Sequence, residues 1–475
     1  MDIAIINTWL ITFKGKGLGI IPNGSLGIED GLISFIGKSS DLNHKKADRI
    51  IDGTNHITMP GLINSHAHTG FTLLRGGAQD LPEIEWMNKG IGPLARYLKK
   101  EDNILGSKLA VLEGLRSGTT TFAEYAGNVS SLVQEVYLPL KVRVVAIETI
   151  NEVSSDRAHL KPRDLYEFDG SKGSAALKKA NNLFQEFKGT ELVSVMYGPQ
   201  ALDFCSLDLL TDIKQQAKDR NCNIHMHVAQ GERERLQIQG RFGADYTTVK
   251  ILEKNGLLED NLVAAHIHDT SKAERSLMVK KRVKMVGCPT SIAVIDGIVP
   301  PIGHYVKLGG IAALGTDQAP GPGHYNMFQE IRMASILTKI NNNDPTALPP
   351  WQSLQLSTIG GAVALDLKDN IGCLEVGKRA DIITIDLEKL NMTPIIDEPF
   401  RNLIPNLIYS STGKEVDNVI ISGNLILADD QFLNIDEYAI INEANKRAKE
   451  IFREASEEWI KAGSKMVSYH KDGFL

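Results

Sequence analysis

The chain contains little cysteine, no long apolar run and no excess of basic residues. Its 475 residues include four cysteines, none in a Cys-x-x-Cys pair, which excludes a disulfide scaffold and a thiolate zinc knuckle. No apolar run approaches the roughly 20 residues of a membrane helix, and the first residues lack the basic start and apolar core of a secretory signal. The 52 basic and 58 acidic residues give a net charge of −6, which offers no basic surface for nucleic acid. We therefore expect a cytoplasmic globular protein with reduced thiols and with neither nucleic acid nor membrane as a partner.

Strand-like apolar runs alternate with segments of helical spacing from Met59 to about Asp369. Eight such runs occur, at residues 62–64, 119–122, 142–147, 193–197, 224–227, 262–265, 283–286 and 311–314. Eight alternations over roughly 300 residues predict a (β/α)8 barrel of the α/β class. A doubly wound open sheet would carry a glycine-rich phosphate loop after its first strand, where this chain has His-x-His instead.

Both ends of the chain differ from this middle part. Residues 1–58 and 370–435 read as short strands and turns, and we expect them to build one small sheet, a β-sandwich, beside the barrel at 59–369. The N-terminal strands are predicted to pair antiparallel. The tail at 436–475 is predicted to be a helix whose apolar stripe packs on the body or on a partner subunit. The stripe consists of Ile441, Ala444, Ala448, Ile451, Phe452, Ala455 and Trp459.

Histidine and aspartate side chains follow several predicted barrel strands. His66 and His68 come after the first strand, and residues two apart in a strand point to the same side. His227, His266 and Asp317 end the fifth, sixth and eighth strands, so all five residues fall on the active face of a barrel. Nitrogen and carboxylate ligands without thiolates predict a divalent metal, Zn²⁺ first and Fe²⁺ second, that lowers the pKa of a bound water. His266 and Asp317 would orient and deprotonate that water.

Two further histidines lie near these positions. His225 shares the parity of His227 but sits deeper in its strand, so we expect a core histidine or one that supports a ligand. His268 lies two residues beyond His266. His266 is the better candidate for the site residue after the sixth strand, because it directly ends the apolar run.

Five motifs taken together resemble the amidohydrolase superfamily, in its branch of cytosine and guanine deaminases, S-adenosylhomocysteine deaminases and triazine (atrazine) hydrolases. They are MPGLINSHAH at 59–68, RSGTTT at 116–121, CPTS at 288–291, LGTD at 314–317 and IGCLEVGKRAD at 371–381. The resemblance covers nearly the whole chain and implies a distorted TIM barrel flanked by a β-sandwich from both termini. It also implies a homodimer or higher homo-oligomer.

The resemblance implies one metal, held by His66, His68, His227 and Asp317, with His266 close to the activated water. Two-metal relatives often use a carboxylated lysine after the fourth strand. No lysine lies between residues 192 and 204, so a two-metal site is not expected.

One catalytic position departs from the pattern of the relatives. The deaminases read His-x-x-Glu after the fifth strand, and their glutamate carries a proton to the ring nitrogen, whereas this chain has Gln230. An amide cannot carry that proton at neutral pH. Asp317 is the first candidate to do all the acid–base work. The other candidates are Glu124, Glu232 and Glu234.

The predicted substrate contacts also differ. Gln200 stands where relatives often place a histidine after the fourth strand, and the segment after Asp317 differs from the usual Ser-Asn-Asn. We therefore expect Gln200, Gln318 and His324 to hydrogen-bond a polar heterocycle. Trp86 and Phe71 follow the first strand and would stack on a flat ring, or simply pack within their loop.

The leading prediction is a metal-dependent hydrolase in which a metal-activated hydroxide attacks a carbon–nitrogen bond. It deaminates an amino-substituted purine, pterin, pyrimidine or triazine. The alternative is a cyclic-amide or linear-amide hydrolase, or a triazine chlorohydrolase, that uses Asp317 alone because Gln230 replaces the glutamate. A non-catalytic barrel is disfavoured, since every predicted ligand position is retained.

Overall fold

The computed structural model describes residues 1–157 and 159–475. Its strands form two sheets. The N-terminal strands are β1 (Ile3–Ile11), β2 (Ile20–Glu29), β3 (Leu32–Lys38), β4 (Arg49–Asp52) and β5 (His56–Pro60). The barrel strands are β6 (Leu62–Ala67), β7 (Thr119–Ala126), β8 (Arg143–Ile150), β9 (Val193–Pro199), β10 (Ile224–Val228), β11 (Leu262–His266), β12 (Lys284–Gly287) and β13 (Ile311–Leu314). The C-terminal strands are β14 (Ile382–Asp386), β15 (Val416–Ile421), β16 (Asn424–Ala428) and β17 (Gln431–Phe432).

Helices connect and cover these strands. They are α1 (Glu83–Glu85), α2 (Gly92–Ala95), α3 (Lys100–Arg116), α4 (Val129–Leu132), α5 (Gly170–Glu186), α6 (Leu207–Arg220), α7 (Glu232–Phe242), α8 (Thr248–Lys254), α9 (Lys272–Lys280), α10 (Pro289–Ile295), α11 (Ile302–Lys307), α12 (Met327–Asn342), α13 (Pro350–Leu356), α14 (Ile359–Ala364), α15 (Leu403–Tyr409), α16 (Glu437–Ala462) and α17 (Lys465–Lys471). None of the helices in the described residues combines the length and the apolar character needed to cross a bilayer.

The eight barrel strands follow one another in chain order, and each pairs with its neighbours in parallel. Each predicted run of the sequence overlaps one of them, so the predicted barrel is confirmed. The strands are short apolar runs buried on both faces, as parallel sheets covered by helices require. All five residues of β11, for example, are buried. The C-terminal strand ends therefore collect on one face of the barrel.

A very close approach between β6 and the segment after β13 closes the barrel. Ala67 and Asp317 form an isolated parallel bridge, and the amide of Asp317 donates to the carbonyl of His66 over 3.0 Å. A β-carbon on Gly315 would lie 2.7 Å from the backbone nitrogen and oxygen of His66. Only glycine allows the two backbones to meet here, and the contact brings Asp317 next to the two histidines after β6.

Both chain ends build one nine-stranded mixed sheet beside the barrel, as predicted. Its order is β17-β16-β15-β14-β5-β1-β2-β3, with β4 paired to β1. The expected antiparallel pairing of the N-terminal strands holds for β1 with β2 and for β2 with β3, but β1 pairs in parallel with β4 and β5. A buried, bidentate ion pair between Arg143 and Asp381, at 2.6 and 2.9 Å, joins this sheet to the barrel. The predicted domain boundaries stay a prediction.

The tail helix α16 packs on the segment that follows β6. The side chain of Asp436 caps the helix by accepting from the amide of Ala439. Ile451 and Trp459 are buried against this segment, in a cluster that includes Leu74 and Trp86. The predicted apolar stripe is wrong at one position. Ile441 is 39% exposed, because its neighbour Ile440 is the residue of this turn that packs on the body.

Candidate metal centre and active site

Two histidines at the barrel mouth present their free ring nitrogens to each other. Nδ1 of His68 lies 2.6 Å from the carbonyl of Tyr125, and Nδ1 of His227 lies 2.8 Å from the carbonyl of Gln200. A carbonyl only accepts, so both Nδ1 atoms carry the proton and both Nε2 atoms carry a lone pair. These two Nε2 atoms are 3.4 Å apart. Each imidazole is therefore held from behind in the tautomer that binds a metal.

His66 joins this pair with support from His225. Nδ1 of His66 lies 2.9 Å from Nε2 of His225, and the two rings stack with centroids 5.0 Å apart. Nε2 of His66 is buried without a hydrogen-bond partner among the described residues. Burial and the neighbouring imidazoles lower the pKa of His66 well below its usual value, so the ring is neutral.

Asp317 completes the group with one oxygen. Ser291 donates to Oδ2 over 2.7 Å, and Oδ1 lies 3.5 Å from Nε2 of His68 and 3.9 Å from Nε2 of His66. Burial raises the pKa of Asp317 to about 7, against the lowering effect of the Ser291 hydrogen bond.

The donor set fits one divalent cation. Ligand atoms of His66, His68 and Asp317 lie within 4.8 Å of one another, and so do those of His66, His227 and His266. Neutral imidazoles and a carboxylate without thiolates suit Zn²⁺. Lone pairs that converge in a buried space repel each other, and a cation bound between them would remove that repulsion.

The strand ends at the site adopt unusual backbone conformations. Ala229, His266 and Asp317 have φ values of 50°, 75° and 65°, in the left-handed region. Such residues cost about 1–3 kcal/mol each and persist where the surroundings hold them in place. The turns end the strands abruptly and aim side chains into the barrel mouth.

His266 lies beside the metal-binding group. Its ring centroid is 5.4 Å from that of His66 and 5.3 Å from that of His227. Both of its nitrogens are buried and lack a partner among the residues that the structure describes. The ring is therefore available to a water or to a substrate.

Gln230 lies next to a buried ion network. Its Oε1 accepts from Nη2 of Arg233 over 3.2 Å. The guanidinium of Arg233 also pairs with Asp203 and with Glu83, and its side chain is 2% exposed. The arginine fixes the position of the Gln230 carbonyl oxygen and leaves the amide hydrogens free to donate.

The other carboxylates proposed from the sequence have different partners. Glu124 accepts from the amide and hydroxyl of Thr69 and from the hydroxyl of Tyr137. Glu234 accepts from the amide of Gln230 and from the hydroxyl of Thr248, and so supports the turn after β10. Glu232 is exposed on the surface of the protein. Glu124 and Glu234 thus hold loops at the mouth, and a part for these carboxylates in proton transfer stays a prediction.

The predicted substrate contacts fall into two groups. Gln200 and Gln318 are half-buried at the ends of β9 and β13, where Gln200 accepts from Asn151 over 2.7 Å. His324 lies 3.3 Å from the buried Glu330, and its Nδ1 accepts from the amide of Asn326. Trp86 is 4% exposed and belongs to the apolar cluster under α16. Their roles toward a substrate stay predictions.

Several residues that shape the mouth have no role in the sequence-based prediction. Ser291, which orients Asp317, stands inside the CPTS motif, so that motif was the available signal. His268 and Asp296 form a contact of 3.5 Å between the loops after β11 and β12. No sequence pattern predicts such a contact between separate loops.

Buried imidazole and carboxylate donors at this end of a (β/α)8 barrel are typical of a metal-dependent hydrolase. The comparison with known families agrees: residues 57–426 match the model of the Amidohydrolase family, and the chain belongs to that family.

Several curated relatives match over almost their whole length. A 5'-deoxyadenosine deaminase of Methanosarcina acetivorans is 33% identical over 457 residues, which are 96% of this chain and 99% of the relative. A 5-methylthioadenosine/S-adenosylhomocysteine deaminase of Thermoanaerobacter pseudethanolicus is 33% identical over 458 residues, with 95% and 100% covered. These matches identify the chain as a hydrolase of carbon–nitrogen bonds.

Solved structures agree on the fold. An adenosine deaminase from Xanthomonas campestris with bound zinc superposes with a TM-score of 0.86 and 26% identity, covering 95% of this chain and 98% of that chain. An atrazine chlorohydrolase from Arthrobacter aurescens complexed with zinc has a TM-score of 0.80 and 20% identity, with 94% and 100% covered. The second likeness shows the fold alone.

Proposed function

We propose that this enzyme deaminates the adenine ring of a 5'-substituted or 5'-deoxy adenosine, with one Zn²⁺ held by His66, His68, His227 and Asp317. The observation that carries the proposal is the convergence of three neutral Nε2 atoms and one carboxylate oxygen at the active face. The names of the full-length relatives supply the substrate class.

The residues divide the work as follows. A bound Zn²⁺ would lower the pKa of a water and so supply a hydroxide nucleophile at neutral pH. Asp317 accepts a proton from that water and passes it on, and Ser291 keeps its carboxylate in place. His266 orients the attacking water through a free ring nitrogen.

Gln230 fits this scheme as a hydrogen-bond donor. Because Arg233 occupies its oxygen, its amide hydrogens face an acceptor on the substrate. Gln200 and Gln318 contact the polar edge of the heterocycle, as the sequence predicts.

Ammonia release and mass spectrometry test this function. Protein of verified metal content is offered 5'-deoxyadenosine, 5'-methylthioadenosine and S-adenosylhomocysteine, beside a panel of cyclic amides. We expect ammonia and a product in which oxygen replaces the amino group. Addition of water to an amide without ammonia would contradict the proposal and favour an amide hydrolase. The variant Asp317→Asn serves as the inactive control.

We further propose a homodimer or higher homo-oligomer in the cytoplasm. The cysteines Cys205, Cys222, Cys288 and Cys373 are all unpaired, which suits a reducing compartment. Light scattering on the eluted protein measures the oligomeric state directly.

A further inference from the structure

Hydrolytic deamination moves two protons away from the attacking water. A C–O bond forms and a C–N bond breaks, and one proton leaves with the nitrogen as ammonia while the other stays on the ring nitrogen of the product. Asp317 can carry a proton at this site, but the amide of Gln230 cannot. A second carboxylate that faces the same substrate would give each proton its own carrier.

Three other carboxylates near the mouth are engaged by the protein. In each of them, both oxygens accept hydrogen bonds from protein groups. They are Glu83, held by Arg233; Glu124, held by Thr69 and Tyr137; and Glu234, held by Gln230 and Thr248. All three carboxylates therefore hold parts of the protein in place.

Asp296 differs from these carboxylates. It follows α10 in the loop after β12, and its side chain is only 10% exposed. Its Oδ1 lies 3.5 Å from Nε2 of His268, and no hydrogen bond reaches its carboxylate from the described parts of the chain. A largely buried carboxylate with free oxygens at the barrel mouth is available to a substrate.

Asp296 lies beside the backbone that follows Gln230. A β-carbon on Gly231 would lie 3.2 Å from Oδ1 of Asp296 and 3.2 Å from Nε2 of His268. Oε2 of Glu83 would be 3.5 Å from the same point. Gly231 directly follows Gln230, so the Asp296 carboxylate lies next to the residue that replaces the glutamate of the relatives. With φ at 124°, only glycine fits at 231 and keeps this space open.

We propose that Asp296 is the second proton carrier of this enzyme and takes over the role of a carboxylate at position 230. The inference rests on the proposed deaminase function. Asp296 takes one proton from the attacking water and delivers it to the ring nitrogen as the C–O bond forms. Asp317 passes the other proton to the amino group as the C–N bond breaks and ammonia leaves. Both carboxylates return to their starting state, so water is the only other reactant.

Moving the carboxylate from position 296 to position 230 tests this inference. Asp296→Asn should lower kcat for 5'-deoxyadenosine by at least about 100-fold while KM changes by less than about threefold, since a proton carrier and not a binding contact is lost. Gln230→Glu in the Asp296→Asn background should restore kcat to within about tenfold of the wild type. Restored activity in this double variant also shows that Asp296→Asn folds.

Asp269→Asn is the matched control. Asp269 lies in the loop after β11, where its side chain pairs with Arg235, and its substitution by asparagine should leave kcat unchanged. Metal content and thermal stability are measured for every variant.

Each failure has a distinct pattern. If Asp296→Asn leaves kcat unchanged, or changes KM alone, the role of Asp296 is overturned and the deaminase function stays intact. A double variant that stays as slow as Asp296→Asn likewise overturns the exchange of roles. A wild-type enzyme that releases no ammonia from any nucleoside overturns the function and the inference together.

Discussion

Nε2 of His68 and Nε2 of His227 face each other across 3.4 Å, and each ring is fixed by a backbone carbonyl on its far side. Two lone pairs at this distance repel each other, and a cation bound between them removes that repulsion. His227→Ala should therefore remove most of the bound metal, which elemental analysis of the purified protein measures. His304→Ala, on a half-buried histidine outside the site, is the control and should keep its metal. Full metal content in His227→Ala would refute the ligand assignment.

Asp317→Asn keeps the shape of the side chain but removes its charge and its ability to accept a proton. Turnover should fall by about 1,000-fold or more, in line with the loss of a general base. Ser291→Ala removes only the hydrogen bond to Oδ2, and we expect a decrease of about tenfold, which corresponds to ~1.4 kcal/mol. Steady-state kinetics of both variants shows whether Asp317→Asn lowers turnover more than Ser291→Ala does. Equal losses would show that Asp317 acts only through its position.

Arg233 holds Asp203 and Glu83 in a buried ion network. Asp203 is fully buried, so Arg233→Met leaves its carboxylate without a counter-charge. The free energy of unfolding should fall by about 3–5 kcal/mol. Adding Asp203→Asn should recover part of this loss, because the buried charge is then removed. Denaturant unfolding of the two variants measures the difference. Wild-type stability in Arg233→Met would show that the network contributes nothing.

The pair of His56 and Asp417 makes the mixed sheet sensitive to alkali. Burial lowers the pKa of His56, but the hydrogen bond and charge of Asp417, 3.0 Å away, outweigh it and raise the pKa to about 9. Since the folded pKa lies above the unfolded value of 6.5, the pair stabilises fully below pH 6.5 and loses its effect as the pH rises through 9. The effect should be about 1 kcal/mol, because the pair is partly solvated.

His56→Gln isolates this contribution. The free energy of unfolding of the wild type should exceed that of the variant below pH 6.5, and the two should converge above pH 9. A difference that stays constant across this range would rule out the ion pair as its source.

Trp459 anchors the tail helix to the segment after β6. Its ring packs edge-on against Phe452 with centroids 5.5 Å apart, and it is 8% exposed. Trp459→Ala should cost about 3–5 kcal/mol of stability and raise KM, because the segment beneath it carries Glu83 into the mouth. Ile460→Ala, on the adjacent and 46% exposed residue, should change stability by less than about 0.5 kcal/mol. Equal effects of the two substitutions would contradict the packing role.

The sequence predicts most of the barrel because each barrel strand is a compact apolar run. The predicted run at 262–265, for example, is shorter than β11 by one residue, His266. The parallel pairing of β1 with β4 and β5 was not predictable, because their register depends on contacts that only the folded sheet makes. The candidate ligands could be found because each ends a strand. Asp296 could not, since its place near Gly231 depends on two loops that are far apart in the chain.

The mixed sheet imposes an order on synthesis at the ribosome. β5 emerges early, but its partner β14 begins only at Ile382. One edge of β5 therefore stays unpaired while more than 300 further residues are synthesised. At the usual rates of translation this wait lasts roughly 20–60 s. An unpaired strand edge invites wrong partners during that time, so the nascent chain should depend on chaperones until its C-terminal strands appear. Premature termination before β14 would leave that edge without its native partner altogether.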